Sequence, residues 1–247
     1  MKFSQNNDEK KSFVKNKFSS VTSRYDLLNT LLSFSVDKYW RKRTAETLKN
    51  LPDGPILDLC AGTLPLSIVL RKYTKRKIIA LDFCLDMLLH GKNRINSLKM
   101  ANDILLVQGD AELIPFKENV FSGITIAFGI RNLANPEKGL MEMFRVLKPG
   151  GVLSILEFSR PKNKLFSKYY FFYLHNILPN IGGIISGDKE AYSYLATSIQ
   201  EFHAPEVVAA MMESAGFRDV KYRPLTFGIV TLYTGRRPST SSGSSPF

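Results

Sequence analysis

The 247-residue chain has two cysteines, Cys60 and Cys84, too few for a disulfide framework, and no Cys/His cluster has metal-ligand spacing. No apolar run reaches the roughly 18 residues that a membrane-crossing helix needs. The opening Met1-Lys2-Phe3-Ser4-Gln5-Asn6-Asn7-Asp8-Glu9 lacks the apolar core of a secretory signal. Acidic residues are outnumbered, 22 against 34 Lys and Arg, which leaves a net charge of +12. That excess favours an anionic surface, nucleic acid or lipid, without choosing between them. What remains, at 44% hydrophobic residues, is a basic domain with a sizeable core, expected in a reducing, cytoplasmic setting.

The chain divides by texture. Residues 1–50 read as an N-terminal helical cap, helical from Phe13 to Leu48, with Leu27, Leu28, Leu31 and Leu32 on one face. Pro52-Asp53-Gly54-Pro55 breaks it. Residues 51–238 form the main domain, and the Ser-rich tail 239–247 is expected to be disordered. Apolar runs at Ile56–Cys60, Lys77–Leu81, Asp103–Val107, Phe121–Phe128 and Val152–Phe158 alternate with amphipathic stretches. This rhythm predicts an α/β fold with a doubly wound, mostly parallel sheet. Leu140, Met143, Phe144 and Leu147 mark a helix ending at Lys148-Pro149-Gly150-Gly151. The rhythm fails between about 159 and 204, an aromatic and basic insertion. A helix from Pro205, with Val207, Val208, Met211, Met212 and Ala215 inward, precedes two strands near 217–223 and 226–234 that can pair as an antiparallel hairpin.

A ligand of such a sheet sits at the carboxyl ends of its strands. There the sequence places Asp58 with the turn Ala61-Gly62-Thr63, Asp82 twenty residues after Gly62, and Asp110. A dinucleotide needs G-x-G-x-x-G for close backbone approach to its pyrophosphate, and Gly62 is followed instead by Leu64 and Pro65. S-adenosylmethionine has no phosphate but carries ribose hydroxyls, adenine and a cationic sulfonium. Acidic strand ends suit it, Asp82 for the ribose and Asp110 for the adenine edge. Solvated strand-end acids with no ligand are the bland alternative.

Longer blocks then narrow the reading. Tyr25-Asp26-Leu27-Leu28-Asn29 with Ser33-Phe34 and Trp40-Arg41, Phe128-Gly129-Ile130-Arg131-Asn132, Arg145 to Gly151, Leu156 to Pro161, Tyr192-Ser193-Tyr194-Leu195 with Ser198-Ile199, and Ala215-Gly216-Phe217 occur in order. Together they resemble the ubiquinone/menaquinone biosynthesis C-methyltransferases, of demethylmenaquinone methyltransferase type, from about Phe13 to Arg237. The resemblance implies a class I S-adenosylmethionine-dependent fold with a seven-stranded sheet, a helical cap and an inserted lid. It implies donor contacts at Thr63, Asp82, Asp110 and Ala111, beside Asp58 and Gly62. Its implied acceptor is a polyprenylated quinol. Two departures stand out: Ala127 replaces a usual serine, and Gly62-Thr63-Leu64-Pro65 replaces Gly-Thr-Gly-Asp. Pro65 is acceptable in a first helical turn, and altered donor affinity is expected.

On the acceptor side, Tyr25, Arg131 and Asn132 are the candidate catalytic residues. Arg131 is expected to stabilise the quinolate charge, with Tyr25 or water relaying the proton. The Asn-Pro-Pro-Tyr element of amino-group methyltransferases and the Pro-Cys nucleophile of cytosine-C5 enzymes are both missing. His175 and His203 are the residue type most used as a base, yet each reads as incidental. Cys60 and Cys84 read as small buried residues, and Arg71 to Lys77 as a solvated helix end and loop. Residues 162–185 interleave Lys162, Lys164 and Lys168 with Phe166, Tyr169, Tyr170, Phe171, Phe172 and Tyr173. That mix fits an isoprenoid lid or a helix at an anionic membrane surface, against a core helix with a basic edge. Gly182-Gly183 and Gly187 add hinge-like freedom. The expected partners are the quinol and a membrane surface, without nucleic acid, and a homodimer is compatible. A nucleic-acid methyltransferase and a catalytically weak scaffold are the competing functions.

Overall fold

The structure, a computed structural model, describes residues 9–12, 36–180 and 189–239. Seven strands form one sheet in the order β3-β2-β1-β4-β5-β7-β6. Their ranges are β1 Ile56–Leu59, β2 Ile78–Asp82, β3 Ile104–Gln108, β4 Phe121–Ala127, β5 Leu147–Phe158, β6 Arg218–Leu225 and β7 Val230–Arg236. The first five strands run parallel, and β7 pairs antiparallel with both β5 and β6. The expected closing hairpin is therefore present. The strand order reverses between β1 and β4, which opens a crevice at their carboxyl ends.

Alternation along β1 shows why the sheet is buried on both faces. Leu57 and Leu59 join one apolar cluster with Leu81, Ile124 and Ile126, while Ile56 joins another with Ile78, Ala80 and Ile104. Helices α1 Val36–Glu46, α2 Pro65–Thr74, α3 Leu85–Ser97 and α4 Pro136–Val146 flank β1 to β5. In α4 the Asn135 side chain accepts from the Lys138 N–H at 2.9 Å, Pro136 opens the first turn, and Leu140, Met143 and Val146 face inward.

Two boundaries differ from expectation. The helix α4 ends at Val146, and Lys148-Pro149-Gly150-Gly151, expected as its end, instead forms an irregular start to β5, which begins at Leu147 rather than Val152. The register jumps there from Phe121↔Leu147 to Gly123↔Val152, so the extra residues are accommodated as a bulge. In α7, Pro205–Ser214, Val208, Ala209 and Met212 are buried but Val207 is exposed. The expected inward stripe was one position too wide.

The insertion resolves into α5 Lys164–Phe172, continued by a π-turn at Tyr173–Ile177, and α6 Lys189–Glu201. They close on each other through Leu174, Leu178, Ala196 and Ile199, with Phe158 and Tyr170 packed alongside. This is a small apolar core of its own, attached to the carboxyl end of β5. The expected cap is described only at 9–12 and from Val36 onward, so Leu27, Leu28, Leu31 and Leu32 lie outside the described residues. The same holds for Gly182, Gly183, Gly187 and most of the Ser-rich tail.

Arg76 departs from the solvated-loop reading. Its guanidinium donates to the carbonyls of Leu51, Pro52 and Gly54 at 2.7–3.0 Å, pinning the turn that leads into β1.

Candidate active site

A cavity opens at the carboxyl ends of β1, β2 and β4, and Asp58, Gly62, Thr63, Asp82, Asp110, Ala111 and Asn132 all line it. Seven of the nine candidate site residues named from the sequence thus meet in one place. Tyr25 lies outside the described residues, and Arg131 sits just behind the wall.

The geometry on the donor side comes from strand ends. Asp82 closes β2. Its Oδ2 accepts from the Gly62 N–H at 2.8 Å and its Oδ1 from the Cys84 N–H at 2.8 Å. These bonds hold the carboxylate across the β1 turn and leave it lone pairs for a pair of vicinal hydroxyls. Asp58 is buried in β1, accepting from Ser67 Oγ at 2.5 Å and Thr125 Oγ1 at 2.7 Å. Burial pushes its pKa up to about 6, against the pull of those two hydroxyls. Asp82 is raised too, again by burial.

Asp110 accepts from the Glu112 N–H and pairs with Lys11 Nζ at 2.6 Å, and Lys11 also reaches Glu112 at 3.0 Å. The Asp110 carboxylate is therefore already shared with a lysine of the N-terminal segment. Lys11 and Arg41 line the cavity beside these acids. Arg41 is paired with Asp37 and lies over the Phe128 ring, 5.7 Å from its centroid. Neither cation was legible as a site residue.

The Leu64 departure has a local explanation. Leu64 caps α2 in the left-handed region at φ 68, a conformation that costs an ordinary residue about 1–2 kcal/mol. Its side chain is fully buried against Gly91, where an added Cβ would stand 2.5 Å from Leu64 Cγ. Apolar burial offsets the strain, and the turn keeps its shape without a glycine. A second close approach fixes the acceptor turn. A Cβ on Gly129 would stand 2.5 Å from Cys60 Cβ, so the chain leaving β4 can cross the β1 turn only as glycine. Cys84 is buried as expected; Cys60 is half-buried and lines the cavity. Burial and the surrounding acids hold the Cys60 thiol well above the usual range, so it stays protonated and a poor nucleophile.

Arg131 was expected as a cation facing the acceptor. Instead its side chain is 3% exposed and paired at 2.6 Å with Glu157, itself 0% exposed, at the end of β5. It also donates to the Phe128 carbonyl at 2.7 Å and to Ser198 Oγ at 3.3 Å. Burial raises the Glu157 pKa, and Arg131 pulls it back. The guanidinium charge is already offset, so its geometry is that of a residue that holds the turn. Asn132 does line the cavity, and its Oδ1 accepts from Tyr194 Oη at 3.1 Å. Tyr194 and Ser198, one helical turn apart on α6, thus grip the two consecutive residues of the β4 turn. His175 contacts Gln200 at 2.8 Å on the exposed side of the lid, and His203 is exposed, away from the cavity lining.

Do these residues fit the donor? Among the described residues, four carboxylates, Asp58, Asp82, Asp110 and Glu112, line the cavity, with Lys11 and Arg41 as the cations. Two of them have pKa values raised by burial, so a cation entering the cavity relieves a standing penalty. A phosphate would add to it. The donor set fits a cationic nucleoside. Among the described residues no His/Cys/Asp/Glu group could hold a metal.

A doubly wound seven-stranded sheet with an acid-lined crevice and no phosphate cradle defines a class I methyltransferase fold. Its likeness to a solved methyltransferase from Thermotoga maritima, described as S-adenosylmethionine-dependent and a possible histamine N-methyltransferase, has a TM-score of 0.64 at 17% identity, covering 90% of this chain and 99% of that one. The model of the ubiE/COQ5 methyltransferase family matches residues 4–237, and the chain belongs to that family. The ubiquinone/menaquinone biosynthesis C-methyltransferase UbiE of Geobacter sulfurreducens is 41% identical over 231 residues, 93% of this chain and 90% of that protein. The demethylmenaquinone methyltransferase of Thermus thermophilus is 40% identical over 222 residues, 90% of this chain and 100% of that protein.

Proposed function

We propose that this methyltransferase transfers the methyl group of S-adenosylmethionine to a ring carbon of a polyprenylated quinol, in menaquinone or ubiquinone biosynthesis. The observation that carries the reading is the acid-lined cavity at three successive strand ends in a chain of this family. Bound there, the donor supplies an electrophilic methyl on a sulfonium. Asp82 takes the ribose hydroxyls, Asp110 and Ala111 the adenine, Thr63 and Gly62 the turn beside them, and Asp58 the positive end.

Across the cavity, Asn132 orients a ring hydroxyl of the acceptor, with Tyr194 fixing its amide. Tyr25 is assigned the proton relay. Arg131 and Glu157 hold the turn that presents Asn132. An electron-rich quinol needs no covalent nucleophile, which accords with a Cys60 thiol held protonated. Deprotonation of one hydroxyl raises electron density on the neighbouring ring carbon. With the donor bound, that carbon would take the methyl group as the carbon–sulfur bond breaks and S-adenosylhomocysteine leaves, and loss of the ring C–H proton would restore the quinol.

The test is incubation with the donor and, separately, a reduced demethylnaphthoquinol and a reduced methoxy-benzoquinol carrying the same short prenyl tail. Mass gain of one methyl group on either ring supports the reading and identifies the acceptor. No methylation of either ring, with donor binding intact by titration calorimetry, would overturn it.

A further inference from the structure

A series of aromatic rings runs from the cavity to one patch of the surface. Phe128 lines the cavity, and the Phe158 ring lies 4.6 Å from it. Phe158 packs into the lid cluster beside Tyr170. Tyr170 stacks parallel to Phe166 at 6.5 Å, and Phe166 lies 5.7 Å from Phe227. The series ends in solvent, because Phe227 is 85% exposed.

The surface around that end carries further exposed apolar side chains. Phe227 sits in the turn between β6 and β7 at φ 56, directly after Thr226 at φ 46. Two successive non-glycine residues in the left-handed region are strained, and here the strain presents a phenyl ring to water. On α5, whose Phe166 packs against Phe227, Leu165 is 65% exposed, Tyr169 66% and Phe172 58%. Their spacing of four and three residues puts them on one face of α5. Lys164 and Lys168 are exposed along the flank of that stripe. From residue 158 to residue 187 the chain has no Asp or Glu. An exposed aromatic and aliphatic stripe flanked by Lys164 and Lys168, with the nearby Glu206 taken up by Lys162 at 3.0 Å, complements a surface that is apolar inside and negative at its rim. A second copy of the chain offers the opposite, a net charge of +12.

We propose that this face docks on an anionic lipid bilayer, with Phe227, Leu165, Tyr169 and Phe172 in the interfacial layer and Lys164 and Lys168 against the headgroups. Resting on the prenylated-quinol reading above, the proposal makes the inner rings Phe128, Phe158, Tyr170 and Phe166 the path along which the isoprenoid tail reaches from lipid toward Asn132, with Phe227 outside that path in the docking face. No helix among the described residues is long and apolar enough to cross the membrane, so contact is at one leaflet.

The experiment compares the wild-type chain with the double variant Phe227→Ser/Phe172→Ser, and with Lys164→Gln/Lys168→Gln. Each is sedimented with phosphatidylcholine vesicles that do or do not contain phosphatidylglycerol. Expected are preferential binding of wild type to the anionic vesicles, a loss of roughly tenfold or more in the aromatic variant, and a smaller, salt-sensitive loss in the lysine variant. Turnover of a long-tailed quinol in vesicles should fall with binding, while turnover of a short-tailed, water-soluble quinol stays at the wild-type value. Wild type that ignores anionic vesicles, or an aromatic variant that binds them as well as wild type, would overturn the proposal. So would a dimer in analytical ultracentrifugation that the aromatic variant abolishes, since the patch would then face a second copy. Wild type that binds vesicles yet methylates no short-tailed quinol would leave the docking face standing and strike the substrate reading instead.

Discussion

The two halves of the cavity, assigned above to donor and acceptor, are built on different principles. On the donor side, Asp58 lies within its strand, Asp82 ends its own, and Asp110 follows two residues after the end of β3, so the sheet itself sets their spacing. Three of their bonds are local, Asp82 to Cys84, Asp58 to Ser67 and Asp110 to Glu112. Gly62 to Asp82 and Thr125 to Asp58 join neighbouring strands of the sheet, and the Lys11 pair ties Asp110 to the N-terminal segment. The acceptor side is assembled from distant pieces. Arg131 meets Glu157 across 26 residues and Ser198 across 67, and Asn132 meets Tyr194 across 62. One half is fixed by the fold, and the other depends on the lid helix α6 being in place. Substitutions should therefore separate them: donor affinity should follow the strand ends, and acceptor handling should follow the lid.

The largest expected effect comes from the joint between the halves. Glu157→Ala leaves the Arg131 guanidinium buried without its carboxylate, and breaking such a pair costs about 3–5 kcal/mol of folding stability. Chemical denaturation should show that loss, with Glu157→Gln milder. A loss under about 1 kcal/mol would mean that water reaches the pair and the turn is not held as described.

Next, Asp82→Ala should weaken donor binding by about 1.5–3 kcal/mol, the range for lost hydrogen bonds to a charged group. Titration calorimetry with S-adenosylmethionine reads this directly. Unchanged affinity would remove Asp82 from the donor site and collapse the distinction between the halves.

A third test uses acid. The folded pKa of Asp58, about 6, lies above its ordinary value of 3.8. The folded state therefore holds a proton that the unfolded state has released, and stability from this group falls as pH rises between those values. Asp58→Asn removes that fall. Without donor, the variant should gain thermal stability relative to wild type as pH rises from 4 to 6. Each kcal/mol corresponds to about 2–4 °C at this chain length. Above pH 6 the difference should level off, and donor binding should be weaker throughout. A difference independent of pH would show that the carboxyl is not held protonated.

The smallest effect tests the lid grip. Tyr194→Phe removes one neutral hydrogen bond to Asn132, worth about 0.5–1.5 kcal/mol. It should raise KM for the quinol and leave donor affinity alone. The reverse pattern would place Tyr194 in the donor half.

The same contrast explains what could be read from sequence. Asp58, Asp82 and Asp110 were legible because each sits in or just after a short apolar run, and a parallel sheet brings those ends together by construction. The five parallel strands and the closing hairpin were legible from the same runs. Asn132 follows β4 in the turn Ile130–Asn132 and lines the cavity. What failed was pairing at long range. The sequence offers no periodic signal that joins Arg131 to Glu157, or Lys11 to Asp110, so Arg131 read as an available cation and Lys11 was missed. Tyr194 and Ser198 stood in a recognisable block, one turn apart, but their target was visible only in three dimensions. Leu64 looked like damage to a glycine turn because its compensation, Gly91, lies on the next helix. The insertion was opaque for a related reason: α5 and α6 share a small core, and each alone lacks a full apolar face.

The central claim is that the enzyme methylates an electron-rich ring carbon without covalent help from the protein. In a quinol, ionisation of one hydroxyl pushes electron density onto the adjacent carbon. In the quinone, two carbonyls withdraw it. The most direct measurement is turnover on one prenylated quinone, assayed in parallel with and without dithionite across a pH series. The account predicts methylation of the reduced form alone, at a rate that rises with pH as the bound hydroxyl ionises. Equal turnover on a sample shown spectroscopically to remain oxidised would contradict it.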